Sequence, residues 1–263
     1  MGYKVMQIEV SNLCSLTCSY CPHPSQARPK GNMTFDTFKK CIELVCRSEN
    51  PQIGGKQFVW LNHFGEPLLN PGLSDFIKHA VARNIEVSFS SNGLDFDRQM
   101  FSRELWRSLA DAGLRYVIVS AHERSAASLR KHVGDIIEIV ETWQPKRSQL
   151  HDWAGQVDLG KLVPPMSLPV KSPCDYETND MFAVTWDGRV AACCYDIEGK
   201  VGRTIEDVLA GNFTFQSISL CSTCQLGRGD ADWLSAPLAQ LQKTDSKYIG
   251  LLSKIRSRFN RSS

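Results

Sequence analysis

Apolar positions recur along this chain in two rhythms. Residues 5–10, 57–62, 85–90 and 116–120 are short, mostly apolar runs that read as buried strands. Residues 33–47, 73–83, 98–112 and 125–142 repeat with the helical period instead. In the first of these helices Thr34 is the expected N-cap, and Phe35, Phe38, Ile42 and Val45 share one face. Strand alternating with helix predicts a parallel sheet with right-handed crossovers. A shorter fifth strand is expected at 148–150, and the pattern offers no sixth, so the barrel is either truncated or closed by a strand without a clear signature. A proline-rich stretch over 163–173 reads as a linker. Beyond it, residues 182–186 and 189–192 flank Asp187-Gly188, a strong hairpin signal, and a short helix over 205–209 closes at Gly211.

The expected organisation is an α/β partial barrel over 1–160, a linker over 161–173, a small hairpin-plus-helix unit over 174–235, and a C-terminal helix or tail over 236–263. Composition fits a globular core, with 42% apolar and 22% charged residues. Thirty basic against 28 acidic side chains leave a net charge of +2, which predicts neither a nucleic-acid nor a membrane partner. No window resembles a membrane span or a secretory signal, so a cytoplasmic location is expected.

Ten cysteines change this picture. In a cytosolic chain of this size, closely spaced thiols point to metal rather than to a disulfide framework. Cys14, Cys18 and Cys21 form C-x3-C-x2-C directly after the first strand. Three soft thiolates on one loop suit an iron–sulfur cluster with one open iron better than a structural zinc, for which only His23 offers a nearby fourth ligand. A second group, Cys174, Cys193, Cys221 and Cys224, is drawn together by the hairpin and the short helix. Its spacing alone leaves zinc and iron–sulfur open. Cys41 and Cys46 lie on a helix and read as packing, and Cys194 as packing, as a hydrogen-atom donor or as an alternate ligand.

The triplet with Tyr20 in its aromatic slot resembles the signature of the radical S-adenosylmethionine (SAM) superfamily. The order of further motifs carries the same resemblance. Phe64-Gly65-Glu66-Pro67 resembles the G-G-E-P segment, with Phe64 in place of the first glycine; Ser91-Asn92-Gly93 is similar to the T-N-G strand end; and Ser120 ends the fourth strand. The resemblance implies a partial TIM-like barrel of radical SAM type. It also implies a four-iron cluster on Cys14, Cys18 and Cys21, and SAM held beside Tyr20, Phe64, Gly65, Glu66, Pro67, Ser91, Asn92 and Ser120. The C-x13-G-x4-C element with its later C-x2-C looks like the auxiliary half of the SPASM and Twitch branches. That likeness implies a second [4Fe-4S] cluster on Cys174, Cys193, Cys221 and Cys224.

Within the superfamily, the short barrel and Twitch-sized appendage look most like a dehydrogenase of aminocyclitols. The expected substrate is therefore a sugar or aminocyclitol alcohol, oxidised after loss of a carbon-bound hydrogen. Candidate bases are His122, Glu123, His151 and Asp152 near strand ends, with Arg115 and Arg124 as candidates for an anionic substrate group. The family further implies a flavodoxin- or ferredoxin-type electron donor. Two alternatives stand beside this one: peptide modification of SPASM type, and epimerisation with Cys194 as the hydrogen donor. With the first strand expected near residue 4, a leader-binding domain before it is not expected, which argues against a peptide substrate without excluding it. The basic amphipathic stretch 254–259 is expected to be a surface helix end.

Overall fold

A computed structural model describes residues 2–120, 126–143, 152–158, 174–211 and 213–224. At its centre lies strand β1 (Lys4–Ile8), four of whose five residues are buried, as a parallel strand covered on both faces requires. The chain continues through α1 (Phe35–Cys46), β2 (Gln52–Ile53), β3 (Lys56–Trp60), α2 (Leu73–Ala82), β4 (Ile85–Ser88) and β5 (Ser90–Ser91). Then come α3 (Arg103–Asp111), β6 (Tyr116–Ser120), α4 (Ala126–Val133) and β7 (Glu138–Trp143). The later elements are α5 (Asp175–Thr178), β8 (Met181–Val184), β9 (Val190–Ala191) and α6 (Ile205–Ala210).

Strand β3 pairs in parallel with β1 and β4, and β6 pairs in parallel with β5 and β7. Phe89 alone separates β4 from β5, and its carbonyl accepts from the Ile118 amide at 3.0 Å, carrying the sheet across the break. The result is an open arc of parallel strands, the partial barrel expected. Helices α1 to α4 cover its outer face. Phe38 and Phe76 stack there with centroids 4.3 Å apart, a contact whose truncation to alanine would cost about 3–5 kcal/mol. Thr34 caps α1 through the Thr37 amide as the sequence predicts. Two details of that helix differ: Phe35 is 41% exposed, and Cys46 is exposed while Cys41 is fully buried.

The expected helix over 125–142 is instead α4 followed by strand β7. Gly134 ends the helix, and the β-branched run Ile136, Ile137, Ile139 and Val140 suits an extended strand beside β6. The helix expected from residue 98 begins at Arg103, where the Ser102 side chain accepts from the Leu105 amide.

The largest difference concerns the C-terminal hairpin. Strand β8 pairs in parallel with β1, from Lys4 opposite Met181 to Ile8 opposite Val184, and β9 follows antiparallel. The hairpin thus covers the open edge of the barrel sheet and supplies the strand that the pattern left unfound. Phe182 and Val184 are fully buried in the same core as Val5 and Ile8. Asp187-Gly188 turns the hairpin as expected, with Gly188 at φ +83°. Helix α6 carries a Thr204–Asp207 capping box. The expected strand at 148–150, the linker over 161–173 and the tail over 236–263 lie outside the described residues.

Candidate active site

The loop that leaves β1 is closed by one buried asparagine. Asn12 exchanges bonds with Gly31, its Oδ1 accepting from the Gly31 amide at 2.7 Å and its own amide donating to the Gly31 carbonyl at 3.1 Å. Its Nδ2 donates to Gln26 Oε1 and to the Pro29 carbonyl. Pinned at both ends, the loop projects Cys14, Cys18 and Cys21 into a cavity of about 220 Å³. Burial, reinforced by the neighbouring thiols, pushes Cys14 and Cys21 up to about 11. Such thiols ionise when a metal supplies the missing positive charge. The Leu16 amide and the Asn92 Nδ2 already point at the Cys14 sulfur, at 3.5 and 3.7 Å. Donors of this kind tune a cluster sulfur, so the three thiols and their surroundings fit an iron–sulfur cluster.

The G-E-P turn is locked against this loop by backbone. The Glu66 amide donates to the Leu13 carbonyl at 2.6 Å, and Gly65, at φ +113°, lies so close to Ser11 and Asn12 that a Cβ would fall 2.5 Å from the Ser11 oxygen. Glu66 itself is 1% exposed and accepts from the Asn92 amide at 2.7 Å and the Leu68 amide at 3.1 Å. Burial raises its carboxyl to about 7 against those bonds. A carboxyl held this way favours a cationic ligand. Tyr20, Phe64, Gly65, Glu66, Ser91, Asn92 and Ser120 all line the cavity. Pro67 does not; it opens the short turn Pro67–Leu69, where a missing N–H costs nothing.

Glu9 and Arg28, which sequence reasoning missed, tie the site to the C-terminal hairpin. Their ion pair is buried at 2.6 Å. The Glu9 carboxylate also accepts from the Phe64 and Trp186 amides, and Arg28 Nε donates to the Ile197 carbonyl. Desolvation raises Glu9 to about 7 even though Arg28 opposes it.

The second group of thiols gathers beside this junction. Cys174 precedes α5, Cys193 follows β9, and Cys221 and Cys224 flank the end of the turn Ser219–Ser222. Cys193, Cys174 and Cys224 share an apolar cluster with Met6, Tyr176 and Tyr195. After burial, the Cys193 and Cys174 thiols are what push Cys221 upward. Backbone amides of Tyr195 and Ile218 donate to the Cys193 and Cys221 sulfurs, each at 3.4 Å. All ten cysteines are free thiols. Cys194 is 2% exposed and packed with Cys193 and Tyr176 rather than in the cavity wall, a placement that fits packing.

Trp153, also missed, bridges the two thiol groups. Its indole N–H donates to the Tyr20 carbonyl at 2.9 Å, and its ring lies 5.4 Å from Phe64 and 5.0 Å from Tyr195. Trp153 and Ala154 both adopt positive φ, and the Ala154 carbonyl accepts from Thr223 between Cys221 and Cys224. No sequence signal announces an indole serving two loops this distant in the chain. His63 lines the cavity beside Phe64, and burial, aided by the Arg28 guanidinium, lowers its imidazole to about 3. Among the candidate bases, Asp152 adjoins the cavity-lining Trp153 and keeps a buried, unpartnered Oδ1. His122, Glu123 and His151 lie outside the described residues, as does Arg124. Arg115 belongs elsewhere. It pairs with Glu86 at 2.7 Å and lines a larger cavity, of about 690 Å³, at the opposite end of β6, where no thiol lies among the described residues.

Cysteine triplet, G-E-P turn and strand-end asparagine thus meet at the carboxyl ends of a parallel α/β arc, the arrangement of a SAM-binding iron–sulfur enzyme. Residues 8–143, more than half of the chain, match the Radical SAM superfamily, and the chain belongs to it. Two curated relatives are PqqA peptide cyclases, from Rhodopseudomonas palustris at 30% identity and from Bradyrhizobium diazoefficiens at 26%, each over 155 residues. Each alignment covers 58% of this chain and 36% of the cyclase, so the chain spans about a third of their length. Among solved structures, BtrN in complex with AdoMet and 2-DOIA superposes with a TM-score of 0.59 at 21% identity, covering 88% of this chain and 87% of that one. BtrN is a 2-deoxy-scyllo-inosamine dehydrogenase, and at this identity the likeness is one of fold. No helix of the described residues is long and apolar enough to cross a membrane.

Proposed function

We propose that this radical SAM enzyme oxidises a secondary alcohol of a sugar or aminocyclitol to the ketone. The observation that carries the reading is the gathering of Cys174, Cys193 and Cys224 in one apolar cluster, joined through Trp153 to the SAM-site loop. The shared fold with BtrN over most of both chains supports it. When bound, SAM and its cluster supply a 5′-deoxyadenosyl radical that takes a carbon-bound hydrogen, and a second [4Fe-4S] cluster supplies a one-electron acceptor.

In this reading Cys14, Cys18 and Cys21 hold the first cluster, and Cys174, Cys193, Cys221 and Cys224 hold the second within a Twitch-like unit over 174–235. Glu66 faces the amino group of SAM, with Phe64, Asn92 and Ser120 shaping its pocket. The hydroxyl proton passes to a carboxylate or imidazole at the strand ends, for which Asp152, Glu123, His122 and His151 are the candidates. A flavodoxin or ferredoxin in the cytoplasm supplies electrons.

The identity to PqqA peptide cyclases favours peptide modification as the second reading. Epimerisation through Cys194 draws no support from that thiol's burial among Cys193 and Tyr176. The deciding experiment is anaerobic incubation of the reconstituted chain with SAM, dithionite and either 2-deoxy-scyllo-inosamine or a ribosomal precursor peptide. Ketone formed in step with 5′-deoxyadenosine supports the alcohol oxidation, whereas a peptide mass change without ketone sinks it. Cys174→Ala should lower iron from about eight to about four atoms per chain and abolish ketone.

A further inference from the structure

We propose that His63 is a substrate-binding residue, its imidazole hydrogen-bonding a hydroxyl of the substrate in the cavity that the cysteine triplet and Glu66 also line. The inference deepens the alcohol-oxidation reading and rests on it for the identity of the ligand. Buried polar atoms in a folded protein are normally bonded, and each exception asks for an explanation. Among the described residues, His63 is the cavity-lining side chain whose polar atoms are all orphaned: both Nδ1 and Nε2 are buried without a partner. The carbonyls of Cys193 and Cys194 lie near the ring without reaching it in hydrogen-bonding geometry.

The position of the ring matters as much as its lack of partners. Phe64 stands 4.6 Å away on the side of the G-E-P turn. Glu66 and Asn92 belong to the same cavity wall, and the hairpin loop bearing Cys193 closes on the other side. A molecule bonded to His63 therefore shares the cavity of Cys14, Cys18 and Cys21, with the Cys193 and Cys194 backbone beside the ring that holds it.

The chemistry of the wall selects the class of ligand. The ring leaves two nitrogens unpartnered, and an imidazole with one nitrogen protonated offers one donor and one acceptor, the complement of a hydroxyl. Arg28 pairs with Glu9, and the cavity lining holds no lysine or arginine among the described residues. Asn62, Ser90 and Ser120 add uncharged amide and hydroxyl groups to the same lining. A polyhydroxylated, uncharged or amino-bearing ring fits these groups better than a phosphate or carboxylate, for which the described lining residues offer no lysine or arginine.

The test compares wild type, His63→Phe and His63→Gln as full-length, anaerobically reconstituted, SAM-bound protein, with 2-deoxy-scyllo-inosamine as the probe. Without probe, His63→Phe should melt within about 2 °C of wild type or above it, because an apolar ring removes an uncompensated desolvation cost. With probe, wild type should bind in calorimetry, His63→Phe at least about tenfold more weakly, and His63→Gln within about threefold of wild type, a tenfold loss matching one lost hydrogen bond. A probe-free melting point in His63→Phe lowered by more than about 5 °C would mean that the imidazole serves the Cys193–Cys194 loop structurally, and the proposal would fall. So would unchanged binding of the probe by His63→Phe. If wild type ignores the probe while His63→Phe melts as high as wild type, the aminocyclitol reading fails and His63 stands as a ligand-facing group.

Discussion

Replacing Gly65 by alanine tests the central claim about how the SAM pocket is built. A Cβ there would lie 2.5 Å from the Ser11 oxygen, 2.7 Å from Asn12 Cα and 2.9 Å from the Asn12 carbonyl carbon, all backbone atoms that cannot swing aside. The residue also sits at φ +113°, where an L-residue is strained by about 1–3 kcal/mol. Forcing a methyl group into packed surroundings adds about 1–3 kcal/mol more. A total near 4 kcal/mol corresponds to a drop of roughly 10 °C in melting temperature for a domain of this size. The damage should also be local: separating Gly65 from Asn12 stretches the bond from the Glu66 amide to the Leu13 carbonyl, next to Cys14. Anaerobic thermal melts, iron content and SAM binding would be measured together. Gly55→Ala is the control, since Gly55 has a similar φ of +77° but nothing within 4 Å of its Cβ, and should cost only about 1 kcal/mol. If Gly65→Ala melted within about 2 °C of wild type and kept its iron and SAM affinity, the backbone lock described here would be wrong.

Glu66 should give the protein a pH signature. Its folded carboxyl, raised to about 7, keeps a proton that the unfolded chain has lost, so its stabilising contribution is full below about pH 4.5 and fades as pH rises through 7. Between pH 6 and 8 the loss is about 1.4 kcal/mol, and urea titrations of Glu66→Gln should have a slope against pH shallower by that amount. Arg28→Met should destabilise by about 3–5 kcal/mol because Glu9 is left buried without its partner, and adding Glu9→Gln should restore part of it in the same titrations. Full stability in the single variant would contradict the pairing. Trp153→Phe keeps the ring contacts and loses the bond to Tyr20, so melting should fall by about 2–4 °C while iron content stays constant.

The cofactor chemistry was legible because it is written locally. Cys14, Cys18 and Cys21 lie within eight residues, and Gly65, Glu66, Asn92 and Ser120 each follow or end a strand whose apolar run is plain in the sequence. The elements that hold these motifs together were not legible. Glu9 meets Trp186 across 177 positions, and Trp153 meets Tyr20 across 133. Neither pairing leaves a period or a spacing to read. Strand β7 was hidden for another reason. Ile136, Ile137, Ile139 and Val140 satisfy a helical stripe as well as a strand, and pairing with β6 decides between them.

The position of β8 governs how far apart the two thiol groups stand. The first hangs from the loop after β1, and Cys193 of the second follows β9, the hairpin partner of β8. Their separation is therefore set by the register of β1 against β8. A slip that preserves which face is buried must move two residues, about 6.6 Å along the strand, enough to take a substrate out of reach of one site. Glu9 lies one residue beyond β1 and bonds three things at once: Arg28 from the cysteine loop, the Phe64 amide before the G-E-P turn, and the Trp186 amide just past β8. A slip of either strand would break at least one of these buried bonds and leave a carboxylate unpaired in the core. The buried Glu9–Arg28 pair thus acts as a register pin, and the reason for burying a charge at this point is geometric: it fixes the distance between the two groups of thiols.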